Sequence, residues 1–155
     1  MEPAYARLSR FFERSSTKKA YESLKAGTEI EIIAQGEAFT FERTKTSHLI
    51  KEGKARSAHL TFEFSDNAFD KIVSFPSDDI GELGVEMLKR VAVRDKNEGI
   101  SIDLHVSPLK LATSGYLGVL LKGGPAVAKF LAERGIIGPR GIQKAFKKLK
   151  GVHHD

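Results

Sequence analysis

Apolar and polar positions along this chain recur with two periods, and each change of period marks a new element. Near the N-terminus Tyr5, Leu8 and Phe12 fall at helical spacing behind Pro3, a residue suited to a first turn. Ser16 or Thr17 is placed to cap a continuation that carries Ala20, Tyr21 and Leu24 as far as Gly27. The period then drops to two. Ile30 and Ile32 alternate with Glu29 and Glu31, and beyond a Gln35-Gly36 turn Phe39 and Phe41 alternate with Thr40 and Glu42. Ser47 to Ile50 offers a short strand, and Leu60, Phe62 and Phe64 alternate with His59, Thr61 and Glu63. Ile100, Ile102, Leu104 and Val106 repeat the pattern. One set is aliphatic or aromatic and the other polar throughout, which predicts a mainly antiparallel sheet of about five strands, covered by helices on one face only.

Helical spacing returns between the strands. Ser65 or Asp66 can cap a short helix bearing Phe69, Ile72 and Val73. Ser77 can cap a longer one, with Asp78 and Asp79 at its positive end and Ile80, Leu83, Gly84, Met87, Leu88 and Val91 on one face. From Pro108 to Leu121 the chain is apolar around most of a helix, so something must enclose it. Gly123-Gly124-Pro125 stops that helix and starts another with Val127, Phe130 and Leu131, ended by Gly135. Gly138-Pro139 repeats the punctuation before a last helix with Ile142, Ala145, Phe146 and Leu149 on one side. The expected organisation is one α+β domain over residues 1–137, with a basic helix and tail over 138–155 that is part of it or peripheral.

Composition narrows the chemistry. With 155 residues the chain can bury a real core. It has no cysteine, so disulfides and thiolate chemistry are excluded. The N-terminal segment is broken by Glu2, Arg7, Arg10, Glu13 and Arg14 and does not read as a secretory signal, so an intracellular, cytoplasmic protein is expected. The Pro108 to Leu121 run is shorter than the ~20 apolar residues that span a bilayer, and Lys110 and Lys122 bracket it. Of the net charge of +5, residues 138–155 hold +4, through Arg140, Lys144, Lys147, Lys148 and Lys150 against Asp155. The basic character therefore belongs to the tail, which argues against a nucleic-acid-tracking domain face.

No P-loop, dinucleotide fingerprint, nucleophile elbow or HExxH motif occurs, and no catalytic residue or cofactor is expected. Lys122-Gly123-Gly124-Pro125 reads as a turn, without the rest of a phosphate motif. His59, Glu63, Asp103 and His105 share the polar side of neighbouring strands; they read as a solvated face rather than a metal cluster. What remains is apolar bulk. Phe39, Phe41, Phe62, Phe64, Phe69, Phe75, Met87, Tyr116 and Phe130 converge on one side of the sheet, where either a filled core or a tunnel for an apolar ligand satisfies the pattern; the tunnel would be lined by Phe39, Phe41, Phe62, Phe64, Met87, Val91, Leu104, Tyr116, Leu120 and Phe130.

The stretch Leu60 to Phe75, LTFEFSDNAFDKIVSF, resembles the sterol carrier protein type-two family in its apolar strand, its Ser65-Asp66 pair and Phe69 a few residues on. The strand EAFTFE at Glu37 to Glu42 and the N-terminal helix agree with it. The resemblance spans roughly residues 1–136 in layout. It implies a five-stranded sheet with helices on one face and a hydrophobic tunnel between them, binding fatty-acyl or similar lipid without catalysis. The family's glycine-bounded final strand is replaced here by the strand and apolar helix of Gly99 to Gly124, so sterol specificity does not carry over. Lys144, Lys147, Lys148 and Lys150 beside Ile142, Phe146 and Leu149 would suit an anionic membrane surface, or else solvated lysines on a packed helix. The alternative functions are a protein or nucleic-acid interaction module acting through this basic helix, and an enzyme-accessory or thioester-handling domain.

Overall fold

The alternating segments become strands β1 (Glu29–Ala34), β2 (Glu37–Arg43), β3 (His48–Glu52), β4 (Leu60–Phe64) and β5 (Ile100–Leu104) in a computed structural model that describes residues 2–93, 95–136, 140, 141 and 144. They form one sheet in the order β3-β2-β1-β4-β5. Three of the four pairings are antiparallel; β1 and β4 run parallel, in the register Ile30 to Leu60 and Ile32 to Phe62. The mainly antiparallel α+β architecture is thus as expected, with one parallel seam that alternation does not reveal. Ala34 and Glu37 are joined by Gln35 (φ 53°) and Gly36 (φ 76°), two consecutive left-handed residues, as a tight hairpin whose twist matches its strands requires.

Helices α1 (Ala4–Phe12), α2 (Ser15–Tyr21), α3 (Asp66–Val73), α4 (Ile80–Ala92), α5 (Pro108–Thr113), α6 (Tyr116–Leu121) and α7 (Gly124–Ala132) complete the described chain, with a 3₁₀ turn at Lys96–Glu98. In α1 the buried residues are Ala4, Leu8 and Phe11, whereas Tyr5 is exposed and Phe12 half-buried. Of the expected Tyr5, Leu8 and Phe12 with Phe11 beside them, Leu8 and Phe11 are buried, Phe12 packs against the core, and Tyr5 is exposed. Ser16 and Thr17 do not cap α2. They lie inside it, its N-cap is Arg14, and Thr17 Oγ1 donates back to Phe11 O at 2.6 Å, which fixes the α1–α2 corner. The helix ends at Tyr21, well before Gly27. Ser65 caps α3 as expected, accepting from Ala68 N at 3.1 Å.

For α4 the cap is Asp79, which accepts from Glu82 N at 2.9 Å; Ser77 instead accepts from Asp79 N in the turn before it. Asp78 turns to α2, accepting from Ser16 N at 3.0 Å. The long apolar helix expected from Pro108 to Leu121 is two short ones. Gly115 has φ 99°, and a Cβ there would lie 1.9 Å from Ser23 O. The break lets the chain cross the end of α2 at a distance no side chain permits. Nor is this segment enclosed on all sides, since Leu109 and Leu121 are 67% and 65% exposed. The last helix lies outside the described residues, apart from positions 140, 141 and 144.

Candidate ligand-binding face

All five strands turn one set of side chains toward the helices, and these align in rows across the sheet. One row runs Phe39, Ile32, Phe62, Ile102 over β2, β1, β4 and β5; a second runs Ile50, Phe41, Ile30, Leu60, Leu104; a third holds Ala34, Phe64 and Ile100. At the β2 end Phe39 and Phe41 are closed over, with Ile50 on the β3 edge partly buried. The Phe41 ring centre lies 4.8 Å from that of Phe12 and 5.4 Å from that of Tyr21, and Tyr5 reaches Phe39 at 6.5 Å. His48 stacks on Phe41 at 5.9 Å, with Tyr21 Oη 2.8 Å from its Nδ1. Burial holds the His48 imidazole below its ordinary pKa, opposed by Glu13, whose carboxylate is 3.6 Å from Nε2. Phe39 and Phe41 are 2% and 1% exposed.

At the β4–β5 end the middle row opens. Leu60 and Leu104 below it and Phe64 and Ile100 above it are buried, but Phe62 and Ile102 between them are only half-buried. Helix α4 packs against β5 and α7 here, and its Met87 and Val91 are half-buried too, as are Val106, Val119 and Leu120. Of the ten apolar candidates, Phe62, Met87 and Val91 are partly buried against the core, while Leu120 is half-buried on α6, whose main contacts are with α2, α5 and α7. The structure buries Phe39, Phe41, Phe64, Leu104, Tyr116 and Phe130 in the core. Pattern alone had not singled out Ile102, Val106 and Val119, because half-burial depends on the helix overhead and not on strand period.

Beyond the buried Leu60, at the start of β4, lies a polar pair. His59 and Tyr116 pack together with ring centres 5.8 Å apart, and His59 Nδ1 and Tyr116 Oη are both shielded from solvent without a hydrogen-bond partner. Burial lowers the pKa of His59, helped by the Lys110 charge, and burial pushes that of the Tyr116 hydroxyl far up. The imidazole is therefore neutral and the phenol protonated near pH 7. Alternation assigns His59 to the solvated face, but it sits one residue before β4, where alternation no longer fixes the direction of a side chain, and its ring packs on Tyr116 instead. His105 takes a different partner, its Nε2 2.7 Å from Thr61 Oγ1. Among the described residues no three His, Asp or Glu side chains are grouped to hold a metal ion, so His59, Glu63, Asp103 and His105 do not assemble into a ligand set.

A separate open cleft of about 480 Å³ lies where α3 and α4 meet, lined by Asp70, Lys71, Phe75, Glu86 and Arg90 among others. Its exposed lining is more apolar than polar, with Phe75 and Pro76 in it, and at its charged edge Arg90 pairs with Glu98 at 3.0 Å and with Glu86 at 3.5 Å. Lys144 is exposed, and Lys147, Lys148 and Lys150 lie outside the described residues. No helix among the described residues is long and apolar enough to cross a membrane.

No protein-family model and no curated protein matches this chain. Among solved structures the chain is similar to one titled "UbiJ-SCP2 Ubiquinone synthesis protein", at 10% identity and a TM-score of 0.37, over 76% of this chain and 90% of that one.

Proposed function

We propose that this chain is a non-enzymatic binding module for an apolar, acyl-type ligand, seated between the β4–β5 end of the sheet and α4. The half-exposed row of Phe62 and Ile102 between two buried rows carries this reading. A core filled for stability alone would close that row as it closes Phe39 and Ile32 in the same row. Met87 on the facing helix is suited to such a surface, because an unbranched thioether side chain repacks around ligands of different shape. Mostly apolar walls with a few convergent polar groups are the usual composition of a small-molecule site. Catalysis is not part of the proposal.

Native mass spectrometry of the purified protein, with solvent extraction and displacement of a fluorescent fatty acid, tests the proposal. A co-purified lipid, or saturable displacement by dodecanoate, is the expected result. Neither lipid nor displacement would sink it. Bound ligand should also raise the thermal midpoint in proportion to the logarithm of its concentration, since it stabilises only the folded state.

A further inference from the structure

Resting on the reading of this face as an acyl-ligand site, we propose that His59 and Tyr116 hold the carboxylate of a fatty acid whose chain lies along the half-exposed Phe62 and Ile102 row. The observation is a pair of orphans. His59 Nδ1 and Tyr116 Oη are both buried without a partner, and they belong to rings that touch. Tyr116 as a whole is only 7% exposed. The third such atom among the described residues, Ser16 Oγ, stands apart in α2. Buried polar atoms are nearly always satisfied, so two adjacent ones lacking partners mark a place where a further group is accommodated.

The chemistry of that group follows from its hosts. A protonated phenol presents an O–H, and a neutral imidazole can present an N–H at Nδ1; together they make a two-donor site for an oxygen acceptor. Lys110 is the charge that acts on His59, and its positive field favours an anion over a neutral acceptor. A carboxylate meets all three conditions, whereas an alcohol gains nothing from Lys110. An acyl chain running from His59 to Phe62 crosses the buried Leu60 and Leu104, about 10 Å along an extended strand, a span within its length.

The test compares dodecanoate with dodecanol on the full chain at pH 8, by displacement of the fluorescent fatty acid. Dodecanoate is expected to bind the wild type about tenfold more tightly than dodecanol, as a charge-assisted hydrogen bond would give. Tyr116→Phe should remove that preference by weakening dodecanoate about tenfold while leaving dodecanol unchanged. Lys110→Gln, at an exposed position that tolerates substitution, should weaken dodecanoate selectively by about threefold. Equal affinities for acid and alcohol, or dodecanoate affinity indifferent to Tyr116→Phe and Lys110→Gln, would overturn the carboxylate site and leave the apolar-ligand reading standing. Failure of both compounds to bind overturns the two together.

Discussion

Over β2 and β1 the rings of Phe12, Tyr21 and His48 close on Phe41, and Phe39 and Ile32 are buried to a few per cent; over β4 and β5, Phe62 and Ile102 continue the same row and stay half-exposed beneath α4. The strands cannot account for the difference, because alternation is equally regular at both ends. It arises in the covering layer. Helices α1 and α2 bring aromatic rings down onto the first half, while α4 packs Met87 and Val91 against the core on the second and turns Gly81 and Gly84 to the start of α7. One half is therefore built for stability, and the other leaves apolar surface in reserve.

Substitutions should separate the halves, and the largest effect belongs to the closed one. Phe41→Ala is expected to cost about 3–5 kcal/mol in denaturant unfolding, as for any fully buried ring. Because Phe41 is remote from the open row, a variant kept folded at low temperature should retain ligand affinity. Gly115→Ala should cost about 1–3 kcal/mol, since its left-handed φ and the approach of Ser23 O both exclude a Cβ. If its melting point stays at the wild-type value, the α5–α6 break is not held by this contact. Phe62→Ala should invert the pattern of Phe41→Ala, with a loss of only about 1–2 kcal/mol in stability but a clear loss of dodecanoate affinity. Equal affinity changes for Phe41→Ala and Phe62→Ala would erase the distinction between the halves.

The smallest effect is in pH. His48 in the closed half and His59 in the open half both have folded pKa values below the ordinary 6.5, chiefly through burial. The unfolded chain then binds more protons than the native one just below pH 6.5, so stability rises with pH through that window and is lost as pH falls through it. Thermal midpoints measured between pH 7.5 and 5 should decline accordingly, and His48→Gln and His59→Gln should each flatten part of the slope. A midpoint that rises on acidification would contradict both assignments.

Strand positions were legible because alternation in β1, β2, β4 and β5 is a local property of one buried face. The parallel seam between β1 and β4 was not, since Ile30 and Leu60 would read the same in either direction. At the start of α4 the sequence offers three successive capping residues, Ser77, Asp78 and Asp79, and the one adjoining Ile80 takes the role once Asp78 is engaged by α2. The break at Gly115 hid inside an apolar run that keeps helical spacing across it, because its cause is a contact with Ser23, far away in sequence. The candidate site was half legible for a related reason. Phe39 and Phe62 lie in one row with identical local patterns, and only the helices above them make one core and the other surface. The pairing of His59 with Tyr116 joins a strand end to a helix start and has no local signature at all.

The parallel seam also bears on the order of events in folding. Strands β1 to β3 form a meander of neighbouring segments, whereas β4 must reach β1 across about thirty residues, a slower closure. The meander should therefore assemble early, and the β4–β5 edge should dock late upon it. A ligand that occupies only the late half arrives after the rate-limiting step. It should slow unfolding while leaving the refolding rate unchanged. Stopped-flow refolding that accelerates with added dodecanoate would place β4 and β5 in the nucleus instead.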